Sequence, residues 1–125
     1  MAKNRKNRRP DATKPKPSKK NPSEAREYET AFFAAEIGEV PTIDLHGMSA
    51  YLATNALDEF IHHELMQGTT VVKIIHGHGQ GTLRDMVQAH LKHLKERGLV
   101  AAYRGANMMR LQNAVTLAAL HRIDK

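Results

Sequence analysis

The stretch Thr69-Thr70-Val71-Val72-Lys73-Ile74-Ile75-His76-Gly77-His78-Gly79-Gln80-Gly81-Thr82-Leu83-Arg84 decides the fold. Its first half is a nearly continuous β-branched run, which predicts a central strand over 69–75 covered on both faces. Three alternating glycines break that run. From Thr82 onward the apolar residues Leu83, Met86, Val87, Leu91 and Leu94 recur at helical spacing. A helix over 82–97 follows, stopped by Gly98 at its C′ position. Strand, glycine loop and helix in this order place the loop where open α/β sheets hold ligands.

Working outward, residues 42–45 read as a short strand, and Ser49 as the cap of a helix to about Met66. The buried face of that helix is expected to carry Leu52, Ala56, Leu57, Phe60, Ile61 and Leu65. On the other side, 99–103 and 114–120 read as two further strands joined by a loop around Arg104 to Gln112. Residues 40–121 thus form a β-α-β-α-β-β unit: a single-domain α/β two-layer sandwich on a four-stranded mixed sheet, its first crossovers right-handed. Ahead of it, Ser23, Glu24 and Glu27 mark a helix start. That helix places Tyr28, Ala31, Phe32 and Ala35 on one face and ends at Gly38, so segment 23–38 docks either on the domain or on a partner.

With 125 residues, 41% of them hydrophobic, the chain supports one core of ordinary size. Charge is unevenly spread. Residues 1–22 carry nine Lys or Arg against Asp11 alone, so the chain's net +6 leaves −2 for the remainder. The basic, proline-rich tail is expected to be disordered, serving as a solvated extension or as an arm that binds nucleic acid by counterion release. There is no cysteine, hence no disulfide framework and no thiolate metal site, which fits a cytoplasmic protein. Neither a membrane span nor a secretory leader is expected.

Thirty residues before the glycine loop stands Ile43-Asp44-Leu45-His46-Gly47. Residues two apart on a strand face the same way, so Asp44 and His46 project to one side and Leu45 toward the other. A carboxylate beside an imidazole fixes its tautomer and stabilises its protonated form, which makes a proton donor or acceptor near neutral pH. Taken alone, an Asp-x-His reads first as a turn cap beside a structural histidine. The glycine loop also has two readings. Its N-H groups, the helix N-terminus and Arg84 make an anion cradle, or the glycines merely permit a tight strand-to-helix turn. A metal clasp or histidine-triad site on His76-x-His78-x-Gln80 is disfavoured, because glycines hold such ligands loosely. His62, His63, His90, His93 and His121 read as surface or helix-face residues.

Together the two motifs resemble the Smr (small MutS-related) domain family, with its Leu-Asp-Leu-His-Gly strand end and a Gly-x-Gly loop about thirty residues later. Ile43 to Gly47 and His76 to Gly79, followed by Leu83-Arg84, carry the resemblance over residues 40–120. It implies a compact α/β sandwich similar to the C-terminal domain of translation initiation factor three. It also implies an endonuclease domain, cutting DNA in some members and RNA on stalled ribosomes in others. On this basis Asp44 and His46 are the expected catalytic residues. His76, Gly77, His78, Gly79, Gly81, Thr82, Arg84 and Arg110 are the expected phosphate or nucleic-acid contacts. No cofactor is required: a single carboxylate at the edge is too few for a two-metal nuclease, although a divalent ion is compatible. Expected partners are RNA, slightly favoured over DNA, and through the family a ribosome. The alternative is a non-catalytic module that binds RNA, DNA or a ribosomal surface. One departure concerns the turn before the last strand, where Gly105-Ala106-Asn107 and Gln112-Asn113 replace the family's glycine-rich pattern. Three Tyr, three Phe and no Trp leave few stacking residues, pointing to recognition through backbone and shape.

Overall fold

The computed structural model describes residues 22–122, so the basic tail lies outside the described residues. Helix α1 (Pro22–Ile37) is followed by strand β1 (Thr42–Asp44), α2 (Ala50–Gln67), β2 (Val71–Ile75), α3 (Thr82–Glu96), β3 (Val100–Gly105), a 3-10 turn (Met109–Leu111) and β4 (Val115–Leu120). Ser49 caps α2 by accepting the Leu52 N-H at its hydroxyl, and Gly68 closes the helix in the left-handed conformation. Helix α1 starts one residue before Ser23, at Pro22, whose fixed φ and missing N-H suit a first helical position.

Strands order as β1-β2-β4-β3. β1 runs parallel to β2, with Asp44 opposite Ile75. β4 is antiparallel to both β2 and β3, with Val115 opposite Ile75 and Thr116 opposite Gly105. One sheet edge therefore collects the carboxyl ends of β1, β2 and β3 and the start of β4. This is where both sequence motifs fall.

Two apolar clusters cover the sheet. Helices α2 and α3 pack Ala53, Leu57, Ile61, Leu65, Val87, Leu91 and Leu94 on Leu45, Val72, Ile74, Ala118 and Leu120. On the opposite face, Phe32 and Ala35 of α1 pack on Val71, Ala101, Leu117 and Ala119. The β-α-β-α-β-β unit is thus two layers, and α1 docks on the domain as a third. Burying Phe32 in this way contributes about 1.5–3 kcal/mol.

Two expectations about helix faces are corrected. Leu52 is 58% exposed. The inward stripe of α2 repeats every four residues from Ala53, and Leu52 stands one residue off it, about 100° around the helix. Ala31 is exposed too, because Phe32 and Ala35 take the sheet-facing side of α1.

Candidate active site

Asp44 ends β1 and His46 follows two residues later, with the buried Leu45 anchoring the backbone between them. Leu45 N-H extends the pairing by donating to Ile75 O at 2.7 Å. Both polar side chains consequently emerge on the solvent side. His46 Nδ1 lies 2.7 Å from Asp44 Oδ1, and the His46 backbone N-H donates to the same oxygen at 3.1 Å. These two hydrogen bonds, the imidazole's first, hold the Asp44 carboxyl below the usual carboxylate range. The ring's other nitrogen, Nε2, is left facing solvent, oriented by the carboxylate behind it.

Continuing the β1–β2 register by two residues sets Gly77 beside His46. A Cβ on Gly77 would stand 3.0 Å from His46 Cβ, and the φ of Gly77 is +84°. Glycine is required here twice, for the left-handed backbone and for the room it gives the imidazole. Gly77→Ala is expected to displace His46 and to cost about 1–2 kcal/mol in backbone strain, read as a lower unfolding midpoint.

The rest of the loop forms the cradle. Gly79 and Gly81 also have positive φ, and Gly81 leads directly into α3. No side chain caps that helix, so the N-H groups of its first turn point outward with its dipole. Arg84 folds back over Gly81, where a Cβ would meet its Nη2 at 2.8 Å, and Nη1 donates to Asn113 Oδ1 at 3.2 Å. His78 and Thr82 are exposed on the loop and at the helix start.

Three expected contacts are placed differently. His76 is buried: its Nε2 accepts from the Thr116 hydroxyl at 2.9 Å, and Nδ1 donates to Gly77 O at 3.2 Å. Burial holds the ring below the ordinary histidine value, with Arg84 and His78 acting the same way against the hydrogen bond to Gly77. His76 therefore braces the loop from within, its ring turned inward onto Thr116 one residue past the end of β2. Gly77 contributes shape and no free donor, since its N-H and that of His76 both go to Ala114 O. Arg110 is exposed on the 3-10 turn, and the pocket beside Arg84 is walled by Asn107, Gln112 and Asn113 instead. Among the described residues no three His, Asp or Glu are grouped to hold a metal ion. None of the helices there is long and apolar enough to cross a membrane.

Comparison with known proteins bears on this edge directly, for the Smr domain family matches residues 43–121. The chain belongs to the Smr domain family. Endonuclease MutS2 of Symbiobacterium thermophilum is 34% identical over 80 residues, covering 64% of this chain and 10% of that protein. Endonuclease MutS2 of Clostridium novyi is 35% identical over 79 residues, again covering 10% of the relative. This chain thus spans about a tenth of the length of the curated relatives it matches. The crystal structure of the Smr domain of Thermus thermophilus MutS2 aligns with a TM-score of 0.61 at 26% identity, over 66% of this chain and 99% of that one. The Smr match begins at Ile43, so α1 lies outside it.

Sequence reasoning missed two features near the Smr edge. One is the chain Gln88 Nε2 to Thr116 Oγ1 (3.4 Å) to His76 Nε2, formed by residues 28 and 40 positions apart. The other is Arg104, which sits on β3 and pairs with Glu29 and Glu36 of α1. Glu29, Phe32 and Glu36 at helical spacing on an otherwise docking face were the available sign that a cation would meet them.

Proposed function

We propose that this Smr domain is a nucleic-acid endonuclease acting by acid-base chemistry, with RNA as its preferred substrate. The observation that carries the reading is the Asp44–His46 pair held 2.7 Å apart beside a left-handed glycine turn. The endonuclease designation of the MutS2 relatives points the same way. A phosphodiester fits with its charged oxygens on the free N-H groups of the loop and of the α3 first turn, and on Arg84. His46 moves a proton at the attacking or leaving oxygen, and Asp44 orients the ring and stabilises its charged form.

RNA suits this arrangement because it carries its own nucleophile. The 2′-oxygen bonds to phosphorus as the bond to the 5′-oxygen breaks. The proton removed from the 2′-hydroxyl finishes on the departing 5′-oxygen, leaving a 2′,3′-cyclic phosphate and a 5′-hydroxyl. The test is a defined RNA incubated with wild-type and Asp44→Ala protein, followed by end-group analysis. A single 2′-deoxy substitution at the scissile nucleotide is expected to stop cleavage there. Continued cutting at the deoxy position overturns the 2′-hydroxyl route, and equal cutting by Asp44→Ala overturns the site.

A further inference from the structure

The same sheet edge has a second half, beyond Arg84, that the cleavage chemistry does not use. A cavity of about 280 Å³ opens there, lined by Arg84, Gln88, Asn107, Gln112, Asn113 and Val115 among others. We propose that it is a nucleobase subsite, taking one unpaired base of the strand whose phosphate lies at Asp44 and His46. This rests on the nucleic-acid reading above and adds to it where sequence selectivity arises.

Four of the lining side chains are carboxamides, each setting a carbonyl oxygen beside an amino group. That pairing is how Asn and Gln match the edge of a base. Several of these groups are already committed in ways that leave complementary atoms open. Asn113 Oδ1 accepts from Arg84 and Gln112 Nε2 donates to Asn107 O, while Gln88 Nε2 reaches Thr116 Oγ1. Among the described residues this leaves Asn113 Nδ2, Gln112 Oε1 and the Asn107 amide without a partner, so the lining keeps both donors and acceptors open. Arg84 is the one charged side chain in the lining. A site for phosphate alone would gather several cations, whereas a neutral set of amides suits an uncharged ring. The planar guanidinium of Arg84 adds a stacking face and borders the cradle as well as the cavity.

The walls are preset. Asn113 has φ +64°, the one non-glycine positive φ among the described residues, a conformation that persists where the surroundings enforce it. Opposite, the Asn107 and Met108 N-H groups are held by Glu36 at 3.0 and 2.9 Å, and Ala106 N-H by Val115 O. The volume falls just under the roughly 300–1,000 Å³ of small-molecule sites, right for one ring system and too small for a dinucleotide. From β1 to β4 is two strand spacings, about 10 Å, so the base in the cavity belongs to a neighbour of the reacting nucleotide.

The test uses the full chain and short single-stranded RNAs in which one abasic residue is moved through the positions flanking the mapped cut. At one flanking position, base loss is expected to lower kcat/KM about tenfold to a hundredfold. Asn107→Ala combined with Gln112→Ala should reproduce that loss on intact RNA and add nothing on the abasic RNA. Equal rates at every abasic position overturn the proposal and leave the cleavage reading standing, as does a double-variant loss undiminished on abasic RNA. Should the protein cut no RNA, anisotropy titrations with Asp44→Ala decide. Position-dependent loss of binding then upholds the subsite while the cleavage reading falls, and uniform binding overturns the subsite too.

Discussion

Replacing His46 by alanine is expected to slow RNA cleavage by about 10²–10⁴-fold while leaving the unfolding midpoint in place. The two halves of this result have separate causes. The imidazole side chain is 69% exposed and bonds only to Asp44, so the core loses nothing when it goes. An exposed pair of this kind adds little to stability. What is lost is a positioned proton carrier next to the cradle, and the His76 ring, committed to Thr116 inside the fold, cannot take its place. Asp44→Asn should fall between wild type and His46→Ala, since the amide oxygen still accepts a hydrogen bond but carries no charge. Asp44 has its pKa lowered, so its protonation cannot limit the rate until the pH drops below the ordinary carboxylate value of about 3.9. Single-turnover rates and melting curves on the same preparations check both halves. A His46→Ala protein that cuts at the wild-type rate, or one that has unfolded, would remove the argument.

How far the chain can be read without coordinates depends on whether a feature is local. The strand at 71–75, the cap at Ser49 and the helix from Thr82 are each written in consecutive residues, and their ends lie within one or two positions of expectation. The pairing of Asp44 with His46 is local as well, since two residues on one strand must share a face. The inward turn of His76 is set by a Thr forty residues away, and nothing in His-Gly-His-Gly-Gln-Gly distinguishes a ring under the loop from one above it. Loop donors are fewer than the glycines suggest for a similar reason: Gly77 N-H is consumed by the carbonyl of Ala114, in the turn just ahead of β4. By sequence alone Arg104 falls with the loop that follows it. It proves to be the next-to-last residue of β3, facing α1 across a sheet whose order the sequence does not state.

That Arg104 should be the most costly charged residue to remove follows from what it leaves behind. Its Nε and Nη2 grip Glu29 at 2.8 and 3.0 Å, Nη1 reaches Glu36 at 2.7 Å, and the guanidinium lies 5.2 Å from the Phe32 ring centre. The Glu36 side chain is fully buried. Burial pushes its carboxyl up, yet Arg104 and the N-H groups of Asn107 and Met108 outweigh this and hold it below the ordinary value. Arg104→Ala keeps the buried carboxylate and takes away its cation, which is expected to cost about 3–5 kcal/mol at pH 7. Changing Arg104 and its buried partner to apolar residues, as in Arg104→Met with Glu36→Leu, should cost less than Arg104→Ala alone, because no buried unpaired charge remains and the Glu29 left behind is half-exposed. The pH dependence has a definite sign. A carboxyl with a lowered folded pKa stabilises above the ordinary carboxylate range and loses that stability as the pH falls through its folded value. In Arg104→Ala burial acts on Glu36 without the cation, so the carboxyl takes up its proton at higher pH and the penalty shrinks in acid. Urea midpoints of wild type and variant should accordingly converge between pH 7 and pH 4. His76, lowered by burial, loses its contribution below about pH 6.5 in both proteins and cancels from the difference. A gap that stays constant with pH would mean that Arg104 acts through packing on Phe32 and not through Glu36. Since Glu36 also holds Asn107 and Met108, the variant should loosen the wall of the cavity beside Arg84 even where the core stays folded, and the N-terminal helix becomes a brace for the edge that carries that cavity.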